Sequence, residues 1–171
     1  GRSRSARAPR HRRSPPPCRA GDPVSALMTV TSIADRIHAI NGTISGVKAR
    51  RTFPQHIDAA SLPLLVCLPG RSERSTARIG AGRDEQTRLF RLILIVDSWQ
   101  AGIPTESAQK RAESLIDAVA AAYLARPRLE LDGVPLDGVT RVTLGGDSGI
   151  IAYGDRAAVE FPLAVTYVNT I

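Results

Sequence analysis

The sequence predicts an α+β fold: a single domain with a mostly antiparallel β-sheet, two main helices packed on one side, and a long exposed loop or hairpin arm. Three observations lead there. Apolar residues recur at helical period in two separate segments. The run Leu89 to Val96 (LFRLILIV) is apolar on both faces apart from Arg91, as expected of a strand in the middle of a covered sheet. Val159, Phe161, Leu163, Val165 and Tyr167 alternate with Glu160, Pro162, Ala164, Thr166 and Val168, the pattern of a strand with one buried face.

The elements follow in order. Thr31 or Ser32 is placed to cap a first helix carrying Ile33, Ile37, Ile40 and Ile44 on one stripe, with Asp35 three residues after Ser32 and Asn41-Gly42 ending it near Ala39 or Ile40. Val47 to Phe53 suggests a short strand. Leu62 to Leu68 suggests another, demoted to an edge or bent position by Pro63 and closed by Pro69-Gly70. Arg71 to Arg88 carries five arginines and three acidic residues, with Ile79 its only sizeable apolar side chain, and reads as the exposed arm. Loops this long in a compact domain are usually functional or disordered.

After the central strand, Pro104, Thr105 and Glu106 begin a second helix reaching about Ala125. Its broad apolar face is Ala108, Ala112, Leu115, Ile116, Val119, Ala120, Tyr123 and Leu124, and Pro127 stops it. Asp132-Gly133 and Asp137-Gly138 signal turns, Val139 to Leu144 a strand, Gly145 to Gly149 a loop, and Ile150 to Tyr153 the start of a further strand. Pro162 in the final strand calls for an edge or a bulge.

Composition sets the domain count and removes several functions. With 171 residues, 43% of them hydrophobic, the chain suffices for one core without staples. The net charge of +7 is uneven: residues 1–27 hold seven Arg and one Asp, leaving +1 for residues 28–171. The body is therefore nearly neutral and unlike a basic nucleic-acid-binding fold. The 1–27 leader, with five prolines and almost no large apolar side chains, cannot offset the entropy of ordering. Met28, the sole methionine, stands directly before the first helix, so the expectation is that the leader is translated upstream sequence and Met28 the true start. A basic arm that binds nucleic acid or anionic surfaces is the alternative, with a transit peptide behind it.

Cys18 lies in the leader and Cys67 in an apolar run, so the two suggest neither a disulfide framework nor a metal site, and a reduced cytosolic origin is expected. No stretch approaches 18 uncharged apolar residues, so neither membrane insertion nor a membrane partner is expected.

Catalytic constellations are not met. Gly146-Asp147-Ser148-Gly149 resembles the nucleophile motif of chymotrypsin-like proteases, but His11 lies in the leader, His38 beside the first helix's stripe, and His56 in a loop after Pro54. A Gly-rich turn is the better reading. Gly80-Ala81-Gly82-Arg83 lacks the Gly-Lys-Ser/Thr sequel of a phosphate loop. Asp132 and Asp137 precede turn glycines, where Asp is common for backbone reasons. No catalytic, cofactor-binding or metal-ligating residue is assigned, and no cofactor is expected.

The order of IADRIHAI, then LFRLILIVDSW, then PTESAQKRAESLIDAVAAAYL, then strands ending in VEFPLAVTYV resembles the tail-terminator (tail-completion, minor tail protein U type) proteins of long-tailed bacteriophages, over about Ile33 to Val168. The resemblance implies a structural virion protein rather than an enzyme. It would form a homo-hexameric ring on the tail tube protein, end tube polymerisation, and present a surface for head–tail joining through a head-completion or connector protein. Assembly would take place in the host bacterial cytoplasm and the mature location would be the tail or neck of the virion. Arg71, Arg74, Arg78 and Arg83 in the arm are then the candidate contacts to carboxylates of a neighbour, or to DNA passing through the ring. Two alternatives stay open: a head-completion or neck connector of the same particles, and a small cytosolic enzyme or ligand-binding domain.

Overall fold

A computed structural model describes residues 28–74, 83–100, 103–104 and 106–170. The elements run α1 (Val30–Gly42), β1 (Lys48–Arg50), a 3-10 turn (Ala59–Ser61), β2 (Leu64–Arg74), β3 (Arg83–Gln100), β4 (Ile103–Pro104), α2 (Glu106–Leu124), β5 (Val139–Leu144), β6 (Ile151–Tyr153) and β7 (Arg156–Thr170). The main sheet has the order β1-β2-β3-β7-β5, with β4 paired to β3 and β6 to β7. Every pairing is antiparallel except β1 with β2. This is the α+β domain expected from the sequence, with β3 at its centre.

Both helices lie on one face. Ile33, Ile37 and Ile40 of α1 and Ala112, Leu115 and Val119 of α2 join Leu65 and Cys67, Phe90, Leu92 and Leu94, and Val159, Phe161 and Leu163 in one buried core. The alternate residues Leu64, Val66, Ile93 and Ile95 face the other way, where Phe53 and Ile57 of the connection between β1 and β2 cover them. A strand apolar on both faces is thus explained by two covers: helices on one side, an irregular segment on the other.

The structure adjusts several boundaries. α1 is capped by Thr29, two or three residues earlier than expected: Thr29 Oγ1 accepts from Ser32 N at 3.1 Å and Ser32 Oγ accepts from Thr29 N at 3.1 Å, a reciprocal box. The helix continues through Asn41 to Gly42 because Asn41 itself is buried on the core stripe. β2 does not stop at Pro69-Gly70 but passes them through a bulge between Pro69 and Ser72. A Cβ on Gly70 would lie 2.9 Å from the Leu89 carbonyl oxygen, so the strands approach there as only glycine permits.

β7 is internal, between β3 and β5, rather than at an edge. Pro162 is tolerated because β5 ends at the Leu144↔Leu163 pair, and Gly145 N donates to Pro162 O at 2.7 Å. The missing N–H would have faced the same side, past the end of a neighbouring strand. Leu124 differs more plainly from expectation. It closes the apolar stripe of α2, yet is 75% exposed.

Candidate functional site

The described parts of the arm, on either side of residues 75–82, are continuous with the sheet. β2 and β3 remain paired to Arg74↔Gln86, and β7 runs beside β3 to Thr170↔Arg83. β3 leaves the core along this extension: Phe90 is fully buried, whereas residues 84–89 are half-buried. Thr87 and Thr166 face each other across the two strands, their hydroxyls 3.0 Å apart, and Tyr167 Oη donates to Gln86 Oε1 at 3.1 Å. These cross-strand contacts keep the extension a sheet rather than a loose loop.

Of the four expected arginine contacts, Arg71 is exposed at the β2 bulge, and its guanidinium lies 3.3 Å from the Glu73 carboxylate. Arg74 and Arg83 are the end residues of the described strands on either side of residues 75–82. Arg78 and the 1–27 leader lie outside the described residues. Arg91 projects from the opposite face to the helices and pairs with Glu160 on β7 at 2.5 Å. Opposite charges on adjacent strands at a partly exposed position steady the sheet only slightly.

No protein-family model matches this sequence, and no curated protein does.

The serine of the Gly-Asp-Ser-Gly tetrapeptide is occupied by the backbone. Ser148 Oγ accepts from Glu160 N at 2.9 Å and donates to Gly149 O at 2.8 Å, while Ser148 N donates to Glu160 O at 2.9 Å. The loop stands in for a strand along the stretch of β7 between the ends of β5 and β6, which accounts for a Gly-rich turn with a serine at this position. Asp147 Oδ1 accepts from Gly149 N at 2.8 Å and tightens the same turn. His56 is exposed in the connection covering the second core, and His38 is half-buried on α1.

One buried polar arrangement was not legible in the sequence. Asn41 is wholly buried and its Oδ1 accepts from Tyr123 Oη at 2.7 Å, tying the end of α1 to the end of α2. Asn41 Nδ2 has no hydrogen-bond partner. Burial pushes the Cys67 thiol up to about 12 and the Tyr123 phenol well above its ordinary range, in the latter case with a further contribution from Cys67. A thiol held in that state is inert as a nucleophile. The signal for the pair was positional: Asn41 follows Ile37 by four and Tyr123 follows Val119 by four, each on its helix's core stripe.

Clefts among the described residues include two of contrasting character. A groove of about 300 Å³ lies between α2 and the loop after β5, lined by Ile116, Ala120, Leu124, Leu144, Asp147 and Phe161. The other, of about 420 Å³, is polar and includes His56, Asp58, Asp155 and Arg156, but Arg156 already donates to Ile57 O at 2.9 Å. Among the described residues, no group of three or more His, Cys, Asp or Glu is placed to hold a metal ion, and no helix is long and apolar enough to cross a membrane.

Proposed function

We propose that this protein is a structural component of a bacteriophage particle that caps the tail tube as a ring of identical copies, ends tube polymerisation and offers the surface to which the head joins. The observation that carries the reading is the sheet extension formed by β2, β3 and β7, which runs out of the helix-backed core as far as Arg74 on β2 and Arg83 on β3. A cap needs a stiff platform whose protruding part reaches a neighbour. Cross-strand pairs supply the stiffness, and Arg71, Arg74 and Arg83 supply charge for contacts to carboxylates or to DNA in the lumen.

Deleting the reading frame from the genome that carries it and imaging the lysate by electron microscopy tests the proposal. Overlong tubes beside unattached filled heads are the expected result. Complete tails of normal length beside unjoined or leaking heads would move the protein to the head side of the neck. Undisturbed particles would overturn the structural reading and favour an enzyme or a binding domain.

A further inference from the structure

The two edges of the sheet are unlike in charge and shape. At one edge, β1 presents Lys48 and Arg50, both exposed, followed by Arg51, which is paired with Asp35 at 2.7 Å. Lys48 also reaches the Ala60 carbonyl oxygen. Towards the far edge, between α2 and the end of β5 with its following loop, lies the apolar groove lined by Ile116, Ala120 and Phe161 with Leu124 standing 75% exposed. Its rim is acidic. Asp147 lines it, and Glu113 and Asp117, both exposed on α2, precede Ile116 and Ala120 by three residues and so occupy the adjoining ridge. An apolar patch with a charged rim is the ordinary form of a protein contact site.

We propose that a second copy of this chain occupies the groove with its β1 edge, setting Lys48 and Arg50 against Asp117 and Asp147 while their aliphatic stems cover Leu124. Charge complementarity between opposite edges selects this occupant. The basic stretch from Val47 to Arg51 contains no acidic residue, and the long stems of Lys and Arg pack on apolar surface while keeping their charges at the polar rim. Because the two surfaces differ and lie at opposite ends of the strand order β1-β2-β3-β7-β5, the contact is head-to-tail, leaving each added copy with one surface free. Repetition of such a contact closes a ring or continues as a filament. The inference rests on the capping proposal for its biological meaning, but the contact itself is testable apart from it.

The experiment uses the full chain with Cys18→Ser, carrying Thr52→Cys, Gly146→Cys, or both, under mild oxidation; both positions are exposed and leave Arg50 and Asp147 in place. The double variant is expected to give a ladder of dimers, trimers and higher species that thiols dissolve, while each single variant stays monomeric. A double variant that remains monomeric, or single variants that dimerise as readily as the double, would overturn the contact. A charge swap supplies an independent check: Arg50→Glu should abolish association in sedimentation and Arg50→Glu with Asp147→Arg should restore it, whereas unchanged association in Arg50→Glu would again overturn it. The two proposals fail separately. Overlong tubes in the deletion strain without a ladder leave capping standing and remove this contact. A ladder with undisturbed particles does the reverse.

Discussion

Tyr123 Oη donates to the side-chain oxygen of Asn41 at 2.7 Å in the buried space where the two helices end together above the sheet. This is the described hydrogen bond that joins the helices side chain to side chain with both residues buried, and it has an asymmetric energetic meaning. Removing one partner leaves the other desolvated without compensation.

Tyr123→Phe should therefore destabilise the fold by about 1–3 kcal/mol, since Asn41 would then lack partners on both side-chain atoms. Urea denaturation measures the loss. Asn41→Leu in the same background should recover part of it, giving a non-additive double-mutant cycle. Additive effects would show that the two side chains do not act as a pair.

The Cys67 thiol sets a second expectation. Its ordinary value of 9.0 is raised to about 12 by burial, so between those pH values the unfolded chain has released a proton that the folded chain retains. Stability then falls as pH rises, with a slope of about 1.4 kcal/mol per pH unit from this group, and the contribution is fully present below pH 9. Tyr123 acts in the same direction. Comparing wild type with Cys67→Ala in urea at pH 8 and pH 10.5 isolates the thiol, and equal slopes would reject its role.

Gly145 and Gly146 should respond differently to the same substitution. A Cβ at Gly145 would lie 2.5 Å from Pro162 Cγ, whereas at Gly146 it would meet nothing within 4 Å. Gly145→Ala should cost about 1–3 kcal/mol through displacement of the loop or the strand, and Gly146→Ala should stay within about 0.5 kcal/mol. Thermal melts of the two variants provide the comparison.

Replacing Arg71, Arg74, Arg78 and Arg83 together by Ser should abolish tail capping while leaving the circular dichroism spectrum and the melting temperature near those of wild type. Tails of normal length from the quadruple variant would reject the proposed contacts.

Periodicity revealed the framework because the core is built from regular stripes. Ile33, Ile37 and Ile40, the run Leu92 to Val96, and the alternation from Val159 to Tyr167 are all buried as their spacing requires. Where local signals competed with tertiary context, the context prevailed. Asn41-Gly42 reads as a stop, but the phenol of a distant tyrosine gives Asn41 a buried partner. Pro69-Gly70 reads as a strand end, but a bulge absorbs it. The groove escaped sequence reading because the pattern of α2 gives all eight apolar residues equal standing, and only the position of β5 and its following loop shows that Leu124 overhangs the core while Val119 fills it.

The internal place of β7 has a consequence for synthesis. A ribosome releases β2 and β3 long before β7, so the Leu92 to Val96 segment of the nascent chain has only β2 as its strand neighbour until residues 156–170 emerge. During that interval the open side of β3 is an apolar template for mispairing. Chains interrupted before β7 would lack the partner that β3, β5 and β6 all need. Folding order thus leaves completion of the sheet to β7, and the open side of β3 is covered only when residues 156–170 are available.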